Sequence, residues 1–183
     1  MGQDKALLPF LGQPLIQRIV ARLAPIADEV IITTNHPENY AFLNLPLFPD
    51  LIPERGALGG LYTAISAAKC PLVAVVACDM PFASPQLLSF QRDLLEKESV
   101  DVVIPRLDGG LEPLHTLYRR DVCLPAIKTA IDANLWKVIS WFPHVKVCEI
   151  SPEEIAPHDP GGLAFANVNT PEEFRAAEKK AGG

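Results

Sequence analysis

No apolar run in this sequence approaches the roughly 20 residues that a membrane-spanning helix needs, so no membrane association is expected. A secretory leader is not expected either. Gln3, Asp4 and Lys5 are polar, and Pro9, Gly12 and Pro14 break the apolar stretch after them. Basic residues are in deficit: 16 Lys and Arg face 22 Asp and Glu, a net charge of −6. That balance argues against nucleic-acid partners, which need a basic footprint, but leaves room for a cationic pocket holding one nucleotide. Cysteine is scarce. Cys70, Cys78, Cys123 and Cys148 form no C-x-x-C pair and no zinc spacing. Two of them lie within apolar patterns, so buried free thiols in a reducing cytoplasm are expected. Repeats, low-complexity tracts and clear linkers are missing too, and residues 1–183 are read as one domain.

What the sequence does have is core material, with 49% hydrophobic and 21% charged residues, and one stretch that organises the rest. From Leu72 to Ala77 apolar residues run without alternation, then Cys78-Asp79-Met80-Pro81 comes next. A short Val-rich run closed by proline reads as a strand buried on both faces. An acid at the carboxyl end of such a strand lies where open α/β sheets keep ligands. Capping of the adjoining turn is the alternative for Asp79.

Around this strand, helices and strands alternate. Pro14 opens a helix with Leu15, Ile16, Ile19, Val20 and Leu23 on one face and Gln17, Arg18 and Arg22 opposite, ending at Pro25. A strand at 29–34, a short helix near 38–44 and a strand at 45–48 come after it. Residues 51–60 read as a loop with three glycines, leading to a helix at about 60–69. Beyond Asp79, Ser84-Pro85 starts a helix to about Glu98. Strands are expected at 101–105, 112–118, 145–150 and 163–168, and helices at 121–133, 135–142, from Ser151 and from Thr170. The alternation predicts an α/β fold with a mostly parallel sheet and helices on both faces. Such a fold normally opens on a central strand and phosphate-binding turn, whereas this chain opens in a loop, so its first strand is expected to be missing.

Lys5, Asp50, Asp79, Asn35 and the glycines Gly56, Gly59 and Gly60 are parts suited to phosphate chemistry. A lysine neutralises oxygens, a carboxylate holds Mg²⁺ and backbone N–H groups cradle an anion. Each also has a plain alternative as surface charge or turn residue, and His115 fits a half-buried structural histidine. No Ser-His-Asp order, paired acid catalyst or cysteine nucleophile context is seen.

Met1-Gly2-Gln3-Asp4-Lys5, Gly12-Gln13-Pro14-Leu15-Ile16, Gly56-Ala57-Leu58-Gly59-Gly60, Cys78-Asp79-Met80-Pro81, Glu112-Pro113-Leu114-His115 and Asn167-Val168-Asn169-Thr170-Pro171 occur in that order. In these motifs the chain resembles the molybdenum cofactor guanylyltransferases over essentially its whole length. The resemblance implies a Rossmann-like nucleotidyltransferase fold and transfer of GMP from GTP to molybdopterin, with pyrophosphate released. It implies Lys5 and Asp79 as catalytic residues, Asp79 on Mg²⁺, Lys5, Asn35, Asp50, Gly56, Gly60 and Asp79 at the GTP site, and Asn167 and Asn169 toward the pterin. Residues 106–120 and 134–150 are further candidates for the pterin side. Transient docking with molybdopterin-handling proteins is a further expectation. A related cytidylyltransferase or sugar-nucleotide transferase, and a non-catalytic nucleotide-binding or partner-docking protein, are the alternatives.

Overall fold

The computed structural model describes residues 4–182. Its strands are β1 (Pro9–Phe10), β2 (Gln13–Pro14), β3 (Ile32–Thr33), β4 (Leu47–Phe48), β5 (Leu72–Val76), β6 (Val102–Leu107), β7 (Gly110–Leu111), β8 (His115–Arg119) and β9 (Val147–Ile150). Its α-helices are α1 (Leu15–Leu23), α2 (Gly56–Ala67), α3 (Pro85–Lys97), α4 (Arg120–Asp132), α5 (Pro152–Ile155) and α6 (Pro171–Gly182). The fold is α/β, as expected from the alternation.

The sheet is more mixed than that alternation suggests. β5 pairs antiparallel with β8, β8 antiparallel with β6, and β6 parallel with β9. Strands β5, β6 and β9 therefore share one direction and β8 runs against it, so strand directions are mostly parallel while most pairings are not. A tight β6–β7 hairpin turning at Asp108-Gly109 makes this reversal possible without a crossover helix.

Alternating residues of the sheet feed two cores. Val102 and Ile104 of β6 and Tyr118 of β8 pack with Leu58, Leu61 and Ile65 of α2, Ile127 and Ile131 of α4, and Trp141. Val103 and Leu117 face the other way, onto Leu87 and Leu95 of α3, Ile150 and Ile155. Helices thus cover both faces.

A third cluster positions the site. Phe10 meets Phe82 and Phe174 edge-on, with centroids 6.3 and 5.5 Å apart, and Leu15, Ile19, Val168 and Ala177 complete the packing. The cluster draws the N-terminal segment, the loop after β5 and the C-terminal segment to one place.

Several expected elements take other forms. The glycines at 56–60 do not form a loop before the helix, because α2 begins at Gly56. Gly59 sits where a Cβ would lie 2.8 Å from the Cβ of Arg55 and 3.1 Å from the Ile52 carbonyl oxygen, so glycine serves close packing there. Burial of Leu58, Leu61 and Ile65 outweighs the low helix propensity of Gly56, Gly59 and Gly60. Residues 135–142 are a string of turns and not a helix. Asn134 takes a left-handed φ of 57°, and the fully buried Trp141 donates its indole N–H to the Val138 carbonyl at 2.8 Å. Residues 163–168 form no strand, and 38–44 resolve into two 3₁₀ turns. All four cysteines are free, but only Cys123 is buried, and Cys78 is exposed.

Strands β3 and β4 pair parallel with each other, apart from the larger sheet. Between β3 and β5 lies a cavity of about 450 Å³, lined by Val30, Ile31, Ile32, Leu72, Val73 and Ala74 among others. Among the described residues nothing pairs with the far edge of β5.

Candidate active site

The run Leu72–Val76 is a strand because β-branched residues pack well on a sheet, and it stops at a turn over Cys78 and Asp79 before Pro81. Three sets of contacts fix the segment from Asp79 to Ser84. Arg18 and Arg22 of α1 donate to the carbonyls of Pro81 and Ala83 at 3.2 and 3.0 Å. The Ser84 N–H donates to His115 Nε2 at 3.1 Å, and the Ser84 hydroxyl donates to the His158 carbonyl at 2.8 Å. The Val168 N–H donates to the Asp79 carbonyl at 3.0 Å. Asp79 is therefore held on a loop pinned from α1, β8 and the C-terminal segment.

Lys5 reaches this loop from the other side. Asp4 caps the 3₁₀ turn Lys5–Leu7 by accepting from the Ala6 N–H at 3.1 Å, and its other oxygen accepts from the Tyr40 hydroxyl at 2.5 Å. Buried Ala6 packs with Ile16 and Tyr40. The Lys5 ammonium donates to Asn169 Oδ1 at 3.0 Å. Met1, Gly2 and Gln3 of the N-terminal motif lie outside the described residues.

The electrostatics of the cluster are uneven. Desolvation raises the Asp79 carboxyl above its ordinary range, and the positive charge of Lys5 pulls it part of the way back. The Glu112 carboxyl is also raised, first by desolvation and then by the negative charge of Asp79. Glu112 thus lies in the field of Asp79, and the Lys5 ammonium offsets part of the charge on Asp79.

Of the other expected residues, Asn35 and Asp50 meet each other. The Asn35 amide donates to Asp50 Oδ2 at 2.9 Å, and the Asp50 N–H donates to Asn35 Oδ1 at 2.9 Å. This clasp joins the ends of β3 and β4. Helix α2 packs on both of these strands and on β5, returning the chain so that β5 runs the same way as β4. Asn35, Asp50, the head of α2 and Asp79 consequently share the carboxyl edge. Gly56, with φ +54°, forms that helix head. Gly60 lies inside the helix, with open space where a Cβ would be, so it supplies no turn to cradle an anion. Asn167 is exposed beside the buried Val168. The N–H groups of Asn169 and Thr170 donate to Glu173 at 2.7 and 2.9 Å, capping α6.

Sequence reasoning missed Arg18, Arg22 and Tyr40. The two arginines stand on the polar face of an amphipathic helix, where solvent is the ordinary partner, and only tertiary structure brings the 80–84 loop to them.

His115 is fully buried, and burial lowers its pKa to about 4. Its Nε2 accepts from Ser84, so the proton sits on Nδ1, and a second proton would set two donors against each other. The unfolded chain protonates near 6.5 and the folded chain only near 4. Stability from neutral His115 is therefore complete above pH 6.5 and lost as pH falls toward 4, by roughly 3 kcal/mol at the limit. The raised carboxyls of Asp79 and Glu112 act in the opposite sense, so the difference between wild type and His115→Gln isolates the histidine. Denaturant unfolding from pH 7 to 4.5 should show that difference shrinking, and a constant difference would mean that His115 takes up its proton in the folded state.

Comparisons with known proteins agree with this architecture. The sequence profile of the MobA-like NTP transferase domain matches residues 1–147. A probable molybdenum cofactor guanylyltransferase of Pelotomaculum thermopropionicum is 37% identical over 95% of this chain and 83% of its own length. One from Carboxydothermus hydrogenoformans is 35% identical over 95% of this chain and 86% of its own. The crystal structure of molybdopterin-guanine dinucleotide biosynthesis protein A from Archaeoglobus fulgidus superposes with a TM-score of 0.84. It covers 99% of this chain and 92% of its own at 23% identity, a likeness of fold. The chain belongs to the MobA-like NTP transferases and, among them, to the molybdenum cofactor guanylyltransferase family.

Proposed function

We propose that this protein transfers the guanylyl group of GTP to molybdopterin, forming the guanine dinucleotide cofactor and releasing pyrophosphate. The observation that carries this reading is the Lys5–Asn169 hydrogen bond beside the loop of Asp79, whose carbonyl accepts from the neighbouring Val168, in a chain of this family. An oxygen of the acceptor's terminal phosphate bonds to the α-phosphorus of GTP. The bond from that phosphorus to the oxygen bridging to the β-phosphorus breaks, and the electron pair leaves with pyrophosphate. Both reactants are anions, so positioning and charge neutralisation carry the catalysis and no side-chain nucleophile is needed.

The residues present suit Mg²⁺. Asp79 is a half-buried carboxylate with Glu112 in its field, and a divalent cation would offset that charge. No cluster of three or more acidic, histidine or cysteine side chains forms among the described residues. Mg²⁺ is ordinarily held by one or two protein carboxylates, with water and phosphate oxygens as its other ligands. Asp79 would hold it, and when bound it would neutralise phosphate charge.

In this reading Lys5 sits against the phosphates and Asn169 fixes its position. The Asn35–Asp50 clasp and the head of α2 at Gly56 flank the nucleotide, and Asn167 and Asn169 face the pterin side. Docking with molybdopterin-handling proteins and a cytoplasmic location belong to the same proposal. The four free cysteines support that location, and no helix among the described residues is long and apolar enough to cross a membrane. The test is pyrophosphate release on mixing the protein with molybdopterin, Mg²⁺ and GTP, CTP or a sugar phosphate with GTP. Release with GTP and molybdopterin alone is expected. Preference for CTP or a sugar phosphate would move the chain to another transferase, and no release in any mixture would make it a binding protein.

A further inference from the structure

Trp136 is the most exposed of the large apolar side chains among the described residues, at 59%, and the loop that carries it is firmly built. Asn134 turns that loop off the end of α4, the Leu135 N–H donates to the Ala130 carbonyl at 2.9 Å, and Trp141 plugs its far end into the core. An indole displayed on a fixed loop contributes little to stability, since apolar surface stabilises only when removed from water. One face of the ring is already backed by charge. The Arg55 guanidinium carbon lies 4.9 Å from the ring centroid, and its Nη1 donates to Asn134 Oδ1 at 2.7 Å. Asn134 alone would serve to clasp the loop to the head of α2, so the clasp does not account for the indole.

The position is informative. Strand β8 ends opposite the start of β5, where Arg119 pairs with Leu72. Helix α4 then climbs back, so its carboxyl end and residues 134–136 reach the carboxyl edge of the sheet. Arg55 stands at the same edge, immediately before α2. The indole and its cation are thus on the rim that carries Asp79, Asp50 and Asn35.

We propose that Trp136, backed by Arg55, is a stacking platform for a planar fused nitrogen heterocycle carrying a 2-amino-4-oxopyrimidine ring. The inference rests on the guanylyl-transfer reading, because guanine and pterin share that ring and are the two heterocycles that guanylyl transfer brings together. The free face of the indole takes the heterocycle, and the guanidinium on the other face fixes the ring's orientation.

The chain has two tryptophans, and Trp141 is fully buried, so the solvent-exposed emission reports Trp136. Titration with GTP and, separately, with neopterin monophosphate should quench that emission for one of the two and identify which ring stacks. Trp136→Phe should abolish the quenching while keeping most of the transfer activity. Trp136→Ala should raise KM for the same substrate about tenfold, the scale of one lost base–aromatic stack, and leave kcat and the KM of the other substrate unchanged. Arg55→Met should give a smaller rise in the same KM. Quenching by neither compound, or quenching that persists in Trp136→Phe, would overturn the platform. Pyrophosphate release needs no tryptophan signal, so it judges the transferase reading separately: release without quenching rejects the platform alone. Should Trp136→Ala melt lower, the wild-type titration and the Phe variant still decide the matter.

Discussion

Asp79→Asn is expected to leave the fold intact and to reduce Mg²⁺-dependent transfer about a thousandfold, with the loss in kcat. The Asp79 carbonyl, and not its side chain, accepts the hydrogen bond from Val168, so the loop keeps its anchor in the variant. The change is confined to the anionic oxygen. An amide is a poor ligand for a hard divalent cation, and loss of one charge-stabilising group at developing charge costs about 10²–10³ in rate. Glu112 is raised chiefly by desolvation, and removing the Asp79 charge takes away only a lesser contribution, so thermal stability should hold while activity collapses. Rates at saturating substrate across a Mg²⁺ titration, beside melting curves, check this. Turnover near the wild-type rate would remove Asp79 from the proposed Mg²⁺ site.

Lys5→Ala is expected to weaken GTP binding and slow transfer together, by about a hundredfold in kcat/KM. The Lys5 ammonium donates to Asn169 and offsets part of the desolvation-raised shift of Asp79, so in the proposed reading its loss leaves the Asp79 charge uncompensated toward the incoming phosphates. Lys5→Arg should recover only part, because a planar guanidinium differs in shape and hydration from a compact ammonium. Asn169→Ala should shift GTP affinity as well as the molybdopterin requirement, since Asn169 holds Lys5 and the proposed reading also puts it on the pterin side. Separate titrations of GTP and molybdopterin against all three variants test the coupling. Equal GTP affinity in wild type, Lys5→Ala and Lys5→Arg would remove Lys5 from the nucleotide site.

The elements that sequence made legible are those whose signal is local. The Val-rich run before Asp79 could be placed as a strand because burial, β-branching and the stop at Pro81 coincide. Ser84-Pro85 and Ser151-Pro152 announced helix starts, and both serines cap as their spacing implies. The reversed direction of β8 was not legible, since alternation along a strand says nothing about which way its neighbour runs. Glycines 59 and 60 resembled a loop because propensity is weak against tertiary packing. The apolar spacing of residues 135–142 resembles a helix, yet Trp141 is buried in the core while Trp136 stays exposed against Arg55.

Within the site the division is similar. Asp79 was placed by its strand. Lys5 and Asn169 lie 164 positions apart and meet through the Phe10, Phe82 and Phe174 cluster, a long-range contact with no local signature. Asn35 and Asp50 each carried an ambiguous turn signal, and the structure resolves it into one reciprocal clasp.

The most direct test of guanylyl transfer tracks the α-phosphate. Two preparations of GTP, labelled at the α or the γ position, are incubated with the protein, Mg²⁺ and molybdopterin, and the products are separated. The account predicts that the α-label moves to the pterin product, that the γ-label leaves as pyrophosphate in equal amount, and that both need Mg²⁺. A γ-label on the pterin, or an α-label that stays with free nucleotide while pyrophosphate appears, would contradict it.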